Sequence, residues 1–180
     1  MLCGPPAVGK THLLRAIVEC TRKRRPAASI AEVTAAVLVE RMLAGLAEGS
    51  SRFELQPAEL LVVDDLHILS GKARTQIEMG HLFRTVLDRG GRVACASGGS
   101  VSRIQVLPEA VRRLTTAKVV ELTPPTPQEI RRILLRHATA SGLRLRAPTT
   151  AILADQARGD VRRAIGALTR MRFERTLSTQ

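Results

Sequence analysis

Near the start of the chain, Gly4-Pro5-Pro6-Ala7-Val8-Gly9-Lys10-Thr11 constrains the fold more than any other stretch. It satisfies G-x-x-x-x-G-K-[ST], the loop whose backbone N–H groups cradle the phosphates of a nucleotide. Such a loop works between a buried strand and a helix, because a helix start offers free N–H groups and the positive end of a dipole to anionic oxygen. Both flanks are present. Met1-Leu2-Cys3 is an apolar stub before the loop, and Leu13, Leu14, Ile17 and Val18 give an apolar face to a helix expected from Lys10 to Thr21. Gly9 allows close backbone approach, Lys10 is expected to reach the β- and γ-phosphates, and the Thr11 hydroxyl is expected to hold Mg²⁺. ATP and Mg²⁺ are therefore the expected cofactors.

A second element supports the first. Leu60-Leu61-Val62-Val63 is a fully apolar strand that ends in Asp64-Asp65. In open parallel sheets the carboxyl ends of the strands face the ligand. Asp64 is expected to position Mg²⁺, directly or through water, and Asp65 to polarise the attacking water. Short apolar runs and helical stripes alternate through the rest of the chain. Ile30 to Ala47 reads as one helix, closed by Gly49-Ser50-Ser51. A helix from about Arg74 to Asp88 stops at Gly90-Gly91, and strands follow at Arg92 to Ala96 and Lys118 to Leu122. Pro124-Pro125 can continue neither element and marks a boundary. Beyond it three helices are expected, at Thr126 to Ala140, Thr149 to Ala157 and Asp160 to Arg172, the first with a capping box of Thr126 and Glu129. The expected fold class is α/β: a parallel sheet between helical layers over residues 1–123, then a small helical domain over 124–180.

With 180 residues, 44% of them apolar, the chain has room and material for one such domain plus an appendage. Its 2% aromatic content argues against recognition of nucleic acid by base stacking. The net charge of +12 suggests polyanionic partners, although Arg so outnumbers Lys that part of the excess reflects general Arg usage. From residue 126 onward there are 11 basic and 4 acidic residues, so the last third is the more basic part. Cys3, Cys20 and Cys95 read as reduced core or near-core thiols of a cytosolic protein, and His12, His67, His81 and His137 lack metal-ligand spacing. No apolar run has membrane-spanning length.

Val62-Val63-Asp64-Asp65-Leu66-His67-Ile68-Leu69-Ser70-Gly71-Lys72-Ala73-Arg74-Thr75-Gln76 resembles the Walker B segment and following loop of the DnaA family of replication initiators. Gly9-Lys10-Thr11-His12-Leu13-Leu14 resembles that family's start of the phosphate-loop helix. The resemblance runs from Leu2 to about Arg172. It implies a P-loop NTPase of the AAA+ type: a three-layer α/β/α ATPase domain followed by a helical lid. Other roles carry over by resemblance alone. Ser97 falls at the sensor 1 segment, where the acidic residue usual after it is replaced by Gly98. Arg113 falls at the arginine finger that reaches a neighbouring subunit's γ-phosphate, with Arg112 as the alternative when counted from Ser97. Asp160-Val161-Arg162 resembles the sensor 2 helix, which gives Arg162 a contact with nucleotide, although helix phase alone does not separate it from Arg163. His12 joins the nucleotide set as the residue after Thr11. Lys72 and Arg74 resemble a basic loop that touches single-stranded DNA, a role that needs only charge and reach; a solvated basic loop fits them equally. The channel-lining helices of the family correspond to Ile30 to Ala47, with Arg41-Met42-Leu43 near the tip.

Only three residues precede Gly4, so the first strand reads as truncated, and no duplex-reading domain follows the helical part. A fragment, a misplaced start and a stand-alone relative all fit. The resemblance implies a replication-initiator module with ATP-dependent self-assembly through Arg113, slow hydrolysis and single-stranded DNA contact. The alternatives are a regulatory, helicase-loader or transposition-helper ATPase acting on a protein partner, and a non-functional fragment. Asp64-Asp65 in place of Asp-Glu favours the initiator over the loader and helper classes.

Overall fold

The computed structural model describes residues 1–47, 58–99 and 118–177. Their contacts divide them into two units, one of Met1–Gly4 and Lys10–Leu122, the other of Pro5–Gly9 and Thr123–Gln180.

The first unit is built on a five-stranded sheet in the order β2-β3-β4-β1-β5, with β1 at Leu2–Gly4, β2 at Ile30–Thr34, β3 at Leu60–Asp64, β4 at Arg92–Gly98 and β5 at Val120–Glu121. Every strand pair is parallel. Parallel strands are covered on both faces, and the alternation of side chains shows how. Leu61, Val63 and Cys95 point into a core with Ala35 and Leu38 of helix α2 (Ala35–Ala47), Met79, Leu82, Phe83 and Val86 of α3 (Ala73–Asp88), and Leu66 and Leu69 of a 3₁₀ turn (Leu66–Leu69). Leu60, Val62 and Ala96 point the other way, onto Leu14 and Val18 of α1 (Lys10–Arg24). A continuous apolar run thus feeds two cores at once. Burial pushes the Cys95 thiol up to about 11, against the pull of the N-terminal ammonium and with a small push from Cys3.

Although β1 has three residues, it is central: Cys3 pairs with Ser97 on one side and Glu121 on the other. The basic end of α1 is tied to the sheet by ion pairs of Arg22 with Glu32 and Arg25 with Glu59.

One expectation is corrected. Ile30 to Ala47 is a strand followed by a helix. Ile30 through Thr34 pair residue for residue with Leu60 through Asp64, and the Thr34 hydroxyl then accepts the Val37 N–H at 3.3 Å to start α2. The β-branched Ile30, Val33 and Thr34 suit a pleated surface, and pairing with β3 overrides the helical pattern that the alanines suggest. The expected strand at Lys118 to Leu122 contracts to Val120–Glu121.

The second unit contains helices α4 (Pro127–Ala140), α5 (Ala147–Ala157) and α6 (Val161–Leu177). Ile130, Leu134 and Ala138 recur at helical spacing and meet Leu153, Ala154, Ala157, Ala164 and Leu168 in a small core. Alanine at half of these positions lets the helices approach closely. The capping box is present as read: Thr126 Oγ1 accepts the Glu129 N–H at 3.3 Å, and Glu129 Oε2 accepts the Thr126 N–H at 2.7 Å. The Thr126 N–H and the Thr126 hydroxyl, both donating to Glu129 Oε2, hold that carboxyl below its ordinary range. At α6 the Asp160 carboxylate accepts the Arg163 N–H at 3.0 Å.

Candidate functional site

All strands being parallel, β1, β3 and β4 end at the same edge of the sheet, and the residues singled out in the sequence gather there. Gly4 closes β1 with φ +147, and a Cβ at that position would lie 2.4 Å from the Leu122 carbonyl oxygen, so only glycine fits. Its own carbonyl accepts the Gly99 N–H at 3.0 Å and the Lys10 ammonium at 2.9 Å. Lys10, the first residue of α1, is buried, which is rare for an ammonium without a purpose-built partner. Between them, Pro5 through Gly9 form the loop, with Ala7 at φ 62 and Gly9 at φ 98. A Cβ on Gly9 would meet nothing within 4 Å, so that glycine answers to backbone conformation and not to crowding.

Thr11 and Asp64 come from opposite ends of the motif pair and touch. The Thr11 hydroxyl donates to Asp64 Oδ2 at 2.6 Å, and the Asp65 N–H donates to Asp64 Oδ1 at 2.8 Å. Both oxygens of Asp64 are thereby oriented by the chain itself. Asp65 adopts the left-handed conformation, φ 58 and ψ 38, and opens the 3₁₀ turn; aspartate tolerates this region better than most residues. Ser97 is fully buried, and its Oγ is the one buried side-chain polar atom among the described residues with no hydrogen-bond partner. A hydroxyl in that state costs free energy unless a ligand or water satisfies it, which marks the end of β4 as part of a site.

These residues fit a magnesium nucleotide. A hydroxyl and a carboxylate in contact are the hard oxygen donors that Mg²⁺ takes, usually with phosphate and water completing the shell. No cluster of three or more His, Cys, Asp and Glu occurs among the described residues.

Other expected residues are more scattered. His12 is exposed in the first turn of α1. Lys72 and Arg74 are exposed where the loop enters α3, and Gly71 there has φ +75. The buried Gln76 explains why that loop is fixed: its Nε2 donates to the Leu69 carbonyl at 2.6 Å, pinning α3 to the 3₁₀ turn. Arg112 and Arg113 lie outside the described residues. Arg162 and Arg163 are both exposed, but α6 gives them different surroundings. Arg163 lines a groove of about 520 Å³ between α5 and α6 with Arg158, Arg170, Leu153 and Met171, and Arg162 does not. The groove contains none of the residues of the phosphate loop.

Sequence reasoning did not anticipate the contact between His67 and Gly98. The Gly98 N–H donates to His67 Nδ1 at 3.2 Å, and the same nitrogen lies 3.9 Å from Asp65 Oδ1. The contact joins positions 31 residues apart, and no local pattern announces it.

Comparison with known proteins agrees with this geometry. The family model for the bacterial DnaA ATPase domain matches residues 1–120. Over 174 residues the chain is 29% identical to the chromosomal replication initiator protein DnaA of Acinetobacter baylyi, covering 94% of this chain and 37% of that protein. The chain therefore spans little more than a third of the length of that relative. Its fold matches domain III of the Thermotoga maritima replication initiation protein DnaA with a TM-score of 0.92, at 21% identity over 99% of this chain and 77% of that one. It also matches replication initiator DnaA bound to AMPPCP and single-stranded DNA, with a TM-score of 0.81 at 25% identity over 95% of this chain and 54% of the other.

Proposed function

Because the chain belongs to the bacterial DnaA ATPase domain family, we propose that it is an ATP-binding module of replication initiation that self-assembles in its ATP form and contacts single-stranded DNA. The observation that carries the reading is the contact of Thr11 with Asp64 at 2.6 Å beside the buried Lys10 ammonium. Thr11 and Asp64 lie 53 residues apart in sequence, and their contact is what supports a nucleotide site.

The residues then divide the work. Backbone N–H groups of Gly4 to Thr11 and the Lys10 ammonium hold the phosphates. Thr11 and Asp64 hold Mg²⁺, which when bound neutralises charge developing on the phosphoryl oxygens. Asp65 orients and polarises the attacking water, and the Ser97 hydroxyl donates to the phosphate or to that water. Arg113 is assigned to a neighbouring subunit's site, which makes hydrolysis by the isolated chain slow. Arg162 is assigned to the nucleotide because Asp160-Val161-Arg162 resembles the sensor 2 helix; Arg163 lines the α5–α6 groove. Residues 1–123 act as the nucleotide domain and 124–180 as its lid. Among the described residues no helix is long and apolar enough to cross a membrane, and the same family reading assigns the protein to the cytoplasm.

The DNA part rests on Lys72 and Arg74, exposed on a loop that Gln76 holds in place, and on the DNA-bound relative. Its test is retention of a single-stranded oligonucleotide with ATP, with ADP and without nucleotide, as salt is varied. ATP-dependent binding is expected, abolished by Arg113→Ala. Lys72→Ala/Arg74→Ala is expected to weaken it and to reduce the log–log salt slope by about 1.4, the value for two phosphate contacts on a single strand. Binding indifferent to nucleotide would reject the assembly, and an unchanged slope would reject these two contacts.

A further inference from the structure

We infer that His67 is a positioning residue for hydrolysis at this site, holding the end of β4 against the Asp65 carboxylate, and that Gly98 is the side-chain-free position that admits its ring. The inference rests on the ATPase reading above.

The 3₁₀ turn after β3 brings His67 back to the sheet edge. There the Gly98 N–H donates to Nδ1 at 3.2 Å. A nitrogen that accepts carries no proton of its own, so the ring proton sits on Nε2. The bond fixes the residue immediately after Ser97, whose buried Oγ lacks a partner within the described residues. The same Nδ1 lies 3.9 Å from Asp65 Oδ1, so the ring stands beside that carboxylate without a hydrogen bond to it. Asp65 is otherwise held through its backbone, by its N–H on Asp64 Oδ1 at 2.8 Å and by the Ile68 N–H on its carbonyl at 3.0 Å. One imidazole therefore bonds the residue that follows Ser97 and stands beside the Asp65 carboxylate.

Gly98 makes the arrangement sterically possible. A Cβ there would lie 3.2 Å from His67 Nδ1 and 3.3 Å from both Cε1 and Cγ. Gly98 is absent from the positive-φ glycines, so its backbone conformation would accept a side chain. A Cβ there would press on the imidazole, which would have to give by a few tenths of an ångström. The ring does not owe its place to the core, since the His67 side chain is 46% exposed. The glycine at the position where the DnaA resemblance leads one to expect an acid is therefore matched to His67, and the two are expected to act as a pair.

Single-turnover hydrolysis of Mg–ATP and ATP affinity, measured on the full chain, test this with His67→Ala, Gly98→Asp, the double variant and His67→Gln. His67→Ala is expected to slow hydrolysis on the order of 10-fold with affinity changed by less than about 2-fold, the pattern of lost positioning. Gly98→Asp is expected to do the same by displacing the ring. The double variant is expected to be no slower than Gly98→Asp alone, because the ring it removes is already displaced. His67→Gln, whose amide oxygen can accept the Gly98 N–H, is expected to keep more activity than His67→Ala. A wild-type rate in His67→Ala, or losses that simply multiply in the double variant, would overturn the inference. A wild-type chain that binds no ATP would instead defeat the ATPase reading and the hydrolytic role with it. The His67–Gly98 bond would then be judged on the free protein by ¹⁵N NMR, through an Nε2–H tautomer and a Gly98 amide resonance that moves in His67→Ala.

Discussion

At the edge of the sheet two polar groups of the site are buried, with Lys10 8% exposed and Ser97 0%. On the three-helix unit Arg162 and Arg163 are exposed, over a core whose buried members are Ile, Leu and Ala. The difference teaches where function and stability compete. Strands can hold a hydroxyl without a partner, as β4 holds Ser97, because the ladder on either side fixes the backbone regardless. Helices joined by short loops draw their stability from caps and small apolar contacts, and they display charge at little cost. Substitutions should therefore separate stability from nucleotide binding in the sheet unit and leave binding alone at the caps of the helical unit.

The most severe challenge to the comparison is Gly4→Ala. Its Cβ would overlap a backbone oxygen that no rotamer change can move, at a φ that disfavours side chains. A loss of about 3 kcal/mol is expected, summing overpacking and backbone strain, and chemical denaturation measures it. A stable Gly4→Ala chain would show that the β1 end is not the rigid element described.

Ser97→Ala sharpens the contrast with the opposite sign. Removing a buried hydroxyl that has no partner is expected to raise stability by about 1 kcal/mol while slowing ATP hydrolysis. Thermal unfolding and single-turnover kinetics on the same sample check both halves. If stability falls with activity, the serine has a structural role and the site loses one of its marks.

At the helical unit, Thr126→Ala is expected to cost about 1 kcal/mol by removing the capping box, with nucleotide affinity unchanged. The pH dependence follows from Glu129, whose carboxyl is held below its ordinary value of 4.5 by its bonds to Thr126. A lowered folded-state pKa contributes stability that is present above that ordinary value and is lost as pH falls through the folded one. The gap between wild type and Thr126→Ala is thus expected to be widest near neutral pH and to narrow below about 4.5. A gap that grew on acidification would contradict the assignment.

How much of this was legible in the sequence depended on the range of the interaction. The phosphate loop, β3 with its aspartates and the capping box are contiguous patterns, and each lies where the residues said. Residues Ile30 to Thr34 carry no decisive local pattern, and their strand exists because β3 is there to pair with. Gln76 was visible within a motif, yet its bond to the Leu69 carbonyl, which gives it a purpose, belongs to the fold. The preference for Arg162 over Arg163 came from the Asp160-Val161-Arg162 resemblance, and the fold adds only that Arg163 lines the α5–α6 groove. His67 and Gly98 were both in plain sight, but what joins them is tertiary.

The central claim is that Lys10, Thr11 and Asp64 form a working magnesium–nucleotide site. Calorimetric titration of ATP with Mg²⁺ into the wild-type chain and into Lys10→Ala tests it most directly, with unfolding temperatures recorded for both. The account expects saturable binding at one site per chain, lost in Lys10→Ala while that variant stays folded. Equal affinity in the two proteins, or no binding by a folded wild-type chain, would contradict it.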